Sequence, residues 1–423
     1  MKPPCSRPDA LAVLKRLREN GHEAYFAGGC VRDSLLGLEP VDWDVATDAP
    51  PQKVRSLFPS TQAVGAAFGV ILVRSGKSTV EVATFRSDGE YEDGRRPSSV
   101  TFTSAENDAR RRDFTINGLF LDPVEDRVID FVGGRDDLAA HRIRAIGDPQ
   151  QRFGEDHLRL LRAVRFAARF SFEIEPATAA AIASLASRVK TISPERVGEE
   201  IRLMLTPATR SVAWRLIWNL GLAKEIFRFL PKLPQEMNFD RSIFLSTYSD
   251  HAISVALALG AAAVCAHHQA GGEILAALKH SEVSRNVRAM RQAMRISNEE
   301  SDEMGEILSS LLPLLQDQRP GLATIKRFLA RTTSGQSRRL LDAISAVGLY
   351  QEKIAALKPR FAELDGTEVA PTPFIDGNDL IALGLNPGPK FRQILERVYD
   401  AQLEGKIASK EDALKLVETL KAI

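Results

Sequence analysis

The 423-residue sequence predicts an α/β head followed by an all-α remainder. Three observations carry that reading. Short runs of β-branched and aromatic residues recur up to about residue 145. From residue 146 that alternation stops, and a 3.6-type apolar period continues to the end. Pro207, Pro231, Pro234, Pro320 and Pro359 then divide the helical part into successive bundles.

The elements follow in order. Leu11, Val13, Leu14 and Leu17 have helical spacing within residues 9–19. β-type runs come at 25–27, 41–46, 70–74, 79–85, 100–103, 119–122 and 128–131. Between them, residues 30–36 and 51–58 read as helices, the second capped by Thr47 or Asp48. Residues 147–154 form a loop. One long helix is predicted over 155–170 and another over 177–189. Ser193-Pro194-Glu195 opens a third, with proline in its first turn. The most apolar stretch, 253–266, is too short to span a bilayer and reads as a buried helix.

Composition narrows the class. At 44% hydrophobic and 26% charged residues the chain can build ordinary cores, which excludes a disordered protein. Cys5, Cys30 and Cys265 are too scattered for a disulfide framework or a metal knuckle, and they suit a reducing cytosol. The N-terminal residues show no signal-peptide stretch, so a cytoplasmic protein with no membrane association is expected. The net charge of +1 is uninformative, but its distribution is not. Residues 142–169 hold seven arginines, and residues 319–360 hold nine lysines or arginines, which suggests local anion-binding faces.

The chemistry concentrates in AGGCVRDSLLGLEPVDWDVATD, residues 27–48. Gly28 and Gly29 stand between a strand and a helix, where a backbone can approach a phosphate closely. Arg32, one turn on, offers a forked donor to the same phosphate. Asp42 and Asp44 flank Trp43 on a predicted strand, so both carboxylates face one side. Two carboxylates on one face call for a shared cation, and hard oxygen ligands suit Mg²⁺ with substrate phosphates. Together these features point to phosphoryl or nucleotidyl transfer. Two other classes share part of the pattern. A nucleotide-sugar glycosyltransferase also uses Asp-x-Asp, and a non-catalytic RNA-binding protein would keep the basic helices without the carboxylates.

GGCVRD followed by DWD resembles the signature of class II tRNA nucleotidyltransferases and bacterial poly(A) polymerases, in the polymerase-β-like superfamily. Further segments are similar to that family's motifs in the same order: RRDFTING (111–118), DFVGGRDDL (130–138), IGDPQQRFGEDHLRLLRAVRFAARF (146–170) and SPERVGEEI (193–201). GNDLIALGLNPGPKFRQIL (377–395) resembles a segment common in CCA-adding members. The resemblance implies a catalytic head at 1–145, a neck with a nucleotide-selecting helix at 146–210, a body at 211–318 and a tRNA-binding tail at 319–423. It implies Mg²⁺ held by Asp42 and Asp44, and tRNA, CTP and ATP as partners, with no protein partner evident.

The resemblance also places Arg112 and Asp113 beside the nucleotide. Asp113 can accept from a ribose hydroxyl, and Asn117, one turn on, can support it. Asp156, Arg159, Arg162 and Arg165 recur at i+3, within mutual reach on a helix. A carboxylate accepts from the exocyclic amine of cytosine, and adenine carries a similar amine. The resemblance implies that Asp156 and Arg159 select CTP and ATP, with Arg162 and Arg165 on base, triphosphate or primer. Among the products, CCA addition is expected over A-only addition and poly(A) synthesis. Residues 84–102 look like the mobile loop of CCA- and A-adding enzymes. Gly65-Ala66-Ala67-Phe68-Gly69 stands where poly(A) polymerases carry a Gly-Arg-Arg-Phe-type stretch. Asp250-His251 and His267-His268 lack the pattern of a metal phosphohydrolase. Arg285, Arg288, Arg327 and Arg331 are the residues expected to grip RNA phosphates.

Overall fold

The computed structural model describes residues 5–63, 68–89, 91, 98–247 and 251–421. The chain divides into two compact units. The first is Met1–Leu205 with Val212–Arg228, and the second is Thr206–Ser211 with Phe229–Ile423.

The first unit is built on one mixed sheet. Its strands are β1 (Ala24–Ala27), β2 (Val45–Thr47), β3 (Thr61–Ala63), β4 (Val70–Ser75) and β5 (Ser78–Thr84). A separate hairpin pairs β6 (Arg86–Asp88) with β7 (Val100–Phe102), and β8 (Leu119–Asp122) and β9 (Arg127–Asp130) complete the main sheet. The sheet order is β3-β4-β5-β2-β1-β8-β9, so β2 lies near the centre. Within this sheet β2 and β5 run parallel, with Val45 opposite Val82, and the other neighbouring pairs are antiparallel.

Local chemistry explains the helices around the sheet. α1 (Arg7–Glu19) starts where the Ser6 side chain accepts from the Asp9 amide, and it buries Ala10, Val13, Leu14 and Leu17. α2 (Gly29–Leu35) leaves β1 through Gly28. α3 (Pro51–Leu57) begins at a proline. α4 (Ala105–Arg110) is capped by Ser104, and α5 (Gly134–Ala139) follows the loop after β9. Asp130 ties that loop by accepting from the amides of Val132, Gly133, Gly134 and Arg135.

Two expectations need correction. The strand expected from residue 41 begins at Val45, so Asp42 and Asp44 stand just before β2. Trp43 fixes them there: its ring packs edge-on against Phe26 at 4.8 Å, with the Arg7 guanidinium 5.3 Å above it. The expected boundary between a loop at 147–154 and a helix at 155–170 falls elsewhere: most of that loop is a short helix, α6 (Pro149–Glu155), and the long helix starts later, as α7 (Leu158–Phe170). Asp156 breaks the run. Its backbone is extended (φ −142°, ψ 105°), and its Oδ1 accepts from the Leu158 amide two residues on, just ahead of α7, whose N-cap is His157. α8 (Pro176–Leu185) runs into a 3₁₀ turn, and α9 (Pro194–Leu205) packs against α7.

Every regular element among the second unit's described residues is a helix. Its helix Val255–Gln269 is buried nearly all round, as its composition predicts. His267 and His268 lie in that helix's last turn, and Asp250 falls outside the described residues. The last three helices, Gly377–Ala382, Pro389–Leu403 and Lys410–Lys421, gather around their own core of Leu380, Ile394, Val398, Ala413 and Val417. Among the described residues no helix is long and apolar enough to cross a membrane.

Candidate active site

A cleft of about 790 Å³ in the first unit gathers the residues singled out by the sequence. Gly28, Gly29, Arg32, Asp42, Asp44, Arg112, Asp113, Asn117, Asp156, Arg159, Arg162 and Arg165 all line it. The sheet forms one wall and α7 the other.

On the sheet side, Trp43 is buried and its neighbours Asp42 and Asp44 face the cleft, the alternation that Asp-Trp-Asp predicts. Asp42 Oδ1 accepts from the Cys5 amide at 2.8 Å. Sequence reasoning missed a third carboxylate, Glu81 on β5. Val82 pairs with Val45, so the parallel ladder brings Glu81 level with Asp44. No linear motif signals that neighbour; the alternation of buried and half-buried residues along β5 is the one trace of it. Among the described residues no group of three His, Cys, Asp or Glu side chains is clustered tightly enough to hold a metal alone.

Gly28 has φ +73°, and a Cβ there would stand 2.9 Å from Arg112 Nη1. The glycine is therefore needed to let Arg112 cross the end of β1. Arg112 is held in turn by Asp108 Oδ2 (2.9 Å from Nη2), by the Asn117 carbonyl (3.0 Å from Nη1) and by the face of Phe120.

Arg32 departs from expectation. Its guanidinium turns inward and packs against both Phe166 and Phe170, 5.0 and 4.7 Å from their ring centres. Nε donates to Asp33 at 2.8 Å and Nη1 to Asn117 Oδ1 at 2.5 Å. The two aromatic faces and the buried partners hold it inside the protein rather than extended toward a phosphate.

Asp113 is the most tightly bound carboxylate of the cleft. Oδ1 accepts from the Phe114 amide (2.8 Å) and Asn117 Nδ2 (2.9 Å). Oδ2 accepts from Arg162 Nε (2.8 Å) and Nη2 (2.6 Å). A carboxylate has about four acceptor positions, so all of them are taken. Burial pushes this carboxyl up, but the Arg162 charge and the Asn117 bond outweigh it and hold it well below the usual range.

Asp156 and Arg159 do not pair with each other. Arg196, on α9, grips Asp156 through both nitrogens. Arg159 is buried; its Nη1 donates to Glu155 Oε2 (2.5 Å) and to the Arg152 carbonyl (2.8 Å). Arg165 pairs with Glu200 at 2.8 Å over the face of Phe166. Burial raises the Glu200 carboxyl against the pull of Arg165 and Arg162. Arg196 and Glu200 also went unassigned from the sequence, although both lie in the quoted SPERVGEEI segment.

The expected RNA contacts fall in the second unit. Arg285 and Arg288 are exposed on one face of the helix His280–Met294, Arg285 beside Glu282 at 3.1 Å. Arg327 and Arg331 differ from expectation: they pair with Asp400 (2.6 Å) and Glu306 (3.2 Å). These acidic partners are remote in sequence, which is why the basic run looked free. The comparison of residues 65–69 with the poly(A) polymerase stretch rests largely on residues outside those described, as does the middle of the 84–102 loop.

Comparisons with known proteins agree with this geometry. Residues 24–144 match the family described as "Poly A polymerase head domain", and residues 171–233 match "Probable RNA and SrmB- binding site of polymerase A". The chain is 34% identical over 424 residues to a CCA-adding enzyme of Geobacillus stearothermophilus, covering 98% of this chain and 96% of that one. A Lactobacillus johnsonii CCA-adding enzyme is 30% identical over 416 residues, covering 96% and 95%. The solved Bacillus stearothermophilus CCA-adding enzyme in complex with CTP superposes with a TM-score of 0.72 at 28% identity, covering 100% of this chain and 99% of that one. A mixed sheet carrying Asp42 and Asp44 at the entry to its central strand, faced by the arginines of α7, is the head of a nucleotidyltransferase. The chain belongs to the family of CCA-adding enzymes. Membership in this family implies a divalent metal ion.

Proposed function

We propose that this chain adds C, C and A to the 3′ end of tRNA from CTP and ATP, without a nucleic-acid template, and releases pyrophosphate. The observation that carries the reading is the single cleft with Asp42, Asp44 and Glu81 on the sheet side and Asp113, Asp156, Arg159 and Arg162 opposite.

Asp42, Asp44 and Glu81 present only hard oxygen donors. That set suits Mg²⁺ completed by phosphate oxygens and water. When bound, the ion would neutralise phosphate charge and make the primer hydroxyl a better nucleophile. The 3′-hydroxyl of the RNA attacks the α-phosphate and pyrophosphate leaves, so no covalent enzyme intermediate is needed. The chain's own part is positioning and charge neutralisation.

Asp156 accepts from the exocyclic amine of cytosine or adenine, and Arg159 donates to the neighbouring ring acceptors. Uracil and guanine present a carbonyl where Asp156 needs a donor, and are rejected. Asp113 and Arg112 lie at the sugar and phosphates. Arg162 and Arg165 line the same wall. The four-part division into head 1–145, neck 146–210, body 211–318 and tail 319–423 goes with this reading, and the end of the tail has its own core of the last three helices. Arg285 and Arg288 remain candidates for phosphate contacts in the body, where tRNA is held by shape. The protein works beside its tRNA in the cytoplasm.

The test is incorporation of each of four NTPs onto tRNAs ending at the discriminator base, at C and at CC. Addition of C, C and A, stopping there, is the expected result. A added only to the CC-ended primer makes it an A-adding enzyme, and long A tails make it a poly(A) polymerase.

A further inference from the structure

Six side chains close a ring that starts and ends on α7. Arg162 binds Asp113 Oδ2, at 2.8 Å from Nε and 2.6 Å from Nη2. Asp113 Oδ1 takes Asn117 Nδ2 at 2.9 Å, and Asn117 Oδ1 takes Arg32 Nη1 at 2.5 Å. Arg32 binds Asp33 Oδ1 at 2.8 Å from Nε and 2.6 Å from Nη2. Asp33 Oδ2 takes Arg169 Nη2 at 2.8 Å, back on α7 and two turns beyond Arg162. Arg32, Asp33, Asp113 and Asn117 are buried, and the Arg32 guanidinium is packed against Phe166 and Phe170.

We propose that Asp33 is a positioning residue for recognition of the nucleotide's sugar, acting through Arg32 and Asn117 on Asp113. The inference rests on the reading that Asp113 meets the ribose. Asp33 does not line the cleft, so it acts only through its neighbours. An amide has one acceptor end and one donor end. Arg32 carries only donors, so it claims Asn117 Oδ1 and turns Nδ2 toward Asp113. Asp33 is what aims Arg32, and Arg169 anchors the far oxygen of Asp33.

The ring also decides which partner of Asp113 can yield. The Phe114 amide is backbone, and Asn117 is locked by Arg32. Arg162, about a third exposed along its side chain, is the one that can move aside for a ribose hydroxyl. Asp33 thus keeps one side of the carboxylate rigid while Arg162 exchanges on the other.

The experiment compares kcat/KM for CTP and dCTP on a tRNA lacking CCA, for the full chain and for Asp33→Asn. Asp33→Asn is expected to lower the CTP/dCTP ratio about tenfold, the scale of one misdirected charge-assisted hydrogen bond. Preference for CTP over UTP should hold. In an Asp113→Asn background the Asp33→Asn change should add nothing further to the ratio. An equal loss for CTP and dCTP would overturn the proposal and leave Asp33 a purely structural residue. Asp113→Asn with an unchanged ratio would show instead that the sugar reading of Asp113 fails, and the proposal falls with it. If Asp33→Asn does not fold, Arg169→Gln opens the ring at its exposed end without stranding a buried charge. It should shift the ratio in the same direction, with Arg169→Lys restoring it. A ratio unmoved by Arg169→Gln would overturn the proposal.

Discussion

Arg196 holds both carboxylate oxygens of Asp156, with Nη1 3.1 Å from Oδ1 and Nη2 2.8 Å from Oδ2. The fork fixes the plane of the carboxylate from a different helix, α9, and so aims it into the cleft. Arg196→Ala should release that aim. Preference for CTP and ATP over UTP and GTP should fall at least about tenfold, since a good base contact is worth roughly 1–3 kcal/mol. CTP and ATP should suffer together. A four-nucleotide competition assay checks it, and unchanged selectivity would remove Asp156 from base reading.

Asp44→Asn should lower single-turnover incorporation by about 10³-fold or more, the scale of losing a main electrostatic contributor. Glu81→Gln should lower kcat by a smaller factor and raise the Mg²⁺ concentration needed for half-maximal rate. Both residues are half-exposed and line the cleft, so melting temperatures should hardly move. A Glu81→Gln enzyme with the parent's metal dependence would remove Glu81 from the metal's surroundings.

Gly28→Ala combines two penalties, an unfavourable backbone at φ +73° and a Cβ 2.9 Å from Arg112 Nη1. The cost in stability should be about 1–3 kcal/mol. Because Arg112 must shift, KM for CTP should rise too. Urea unfolding and steady-state kinetics on the same variant check both. A rise in KM without loss of stability would mean that the glycine serves a ligand rather than Arg112.

Acid should weaken the second unit through His267. Burial, with the Lys232 charge, holds this imidazole's pKa below its ordinary value of 6.5. The unfolded chain therefore binds a proton that the folded chain resists. The neutral form's stability is complete above 6.5 and is lost as the pH falls through 6.5 toward the lowered folded value. His267→Gln should flatten that part of the curve when urea midpoints are followed from pH 8 to pH 5. A curve of unaltered shape would assign the acid limb to other groups.

Much of the site was legible because its signals are local. Trp43 between two aspartates encodes burial on one side and charge on the other, even though the strand starts four residues later than the pattern suggested. The arginine spacing of α7 likewise predicted one wall of the cleft. What was not legible depends on contacts distant in sequence. Glu81 reaches Asp44 only through the parallel β2–β5 register. Arg327 and Arg331 meet Asp400 and Glu306 by tertiary packing, so a basic run that looked free is partly neutralised. Arg32 reads as a phosphate ligand until Phe166 and Phe170, over 130 residues away, are seen to enclose it. The short helix α6 was hidden because Gly147, Pro149 and Gly154 read as loop residues, and the late start of α7 because the extended backbone of Asp156 leaves no mark in the apolar period.

The break between α6 and α7 also decides what orients Asp156. A residue inside a continuous helix takes its direction from that helix alone. Asp156 lies in the extended link between α6 and α7, so its carboxylate is oriented from two sides, by the Leu158 amide of α7 and by the Arg196 fork of α9. The carboxylate is a joint between two helices rather than a feature of one. A substitution that shifts α9 against α7 would therefore turn it without touching either residue of the fork.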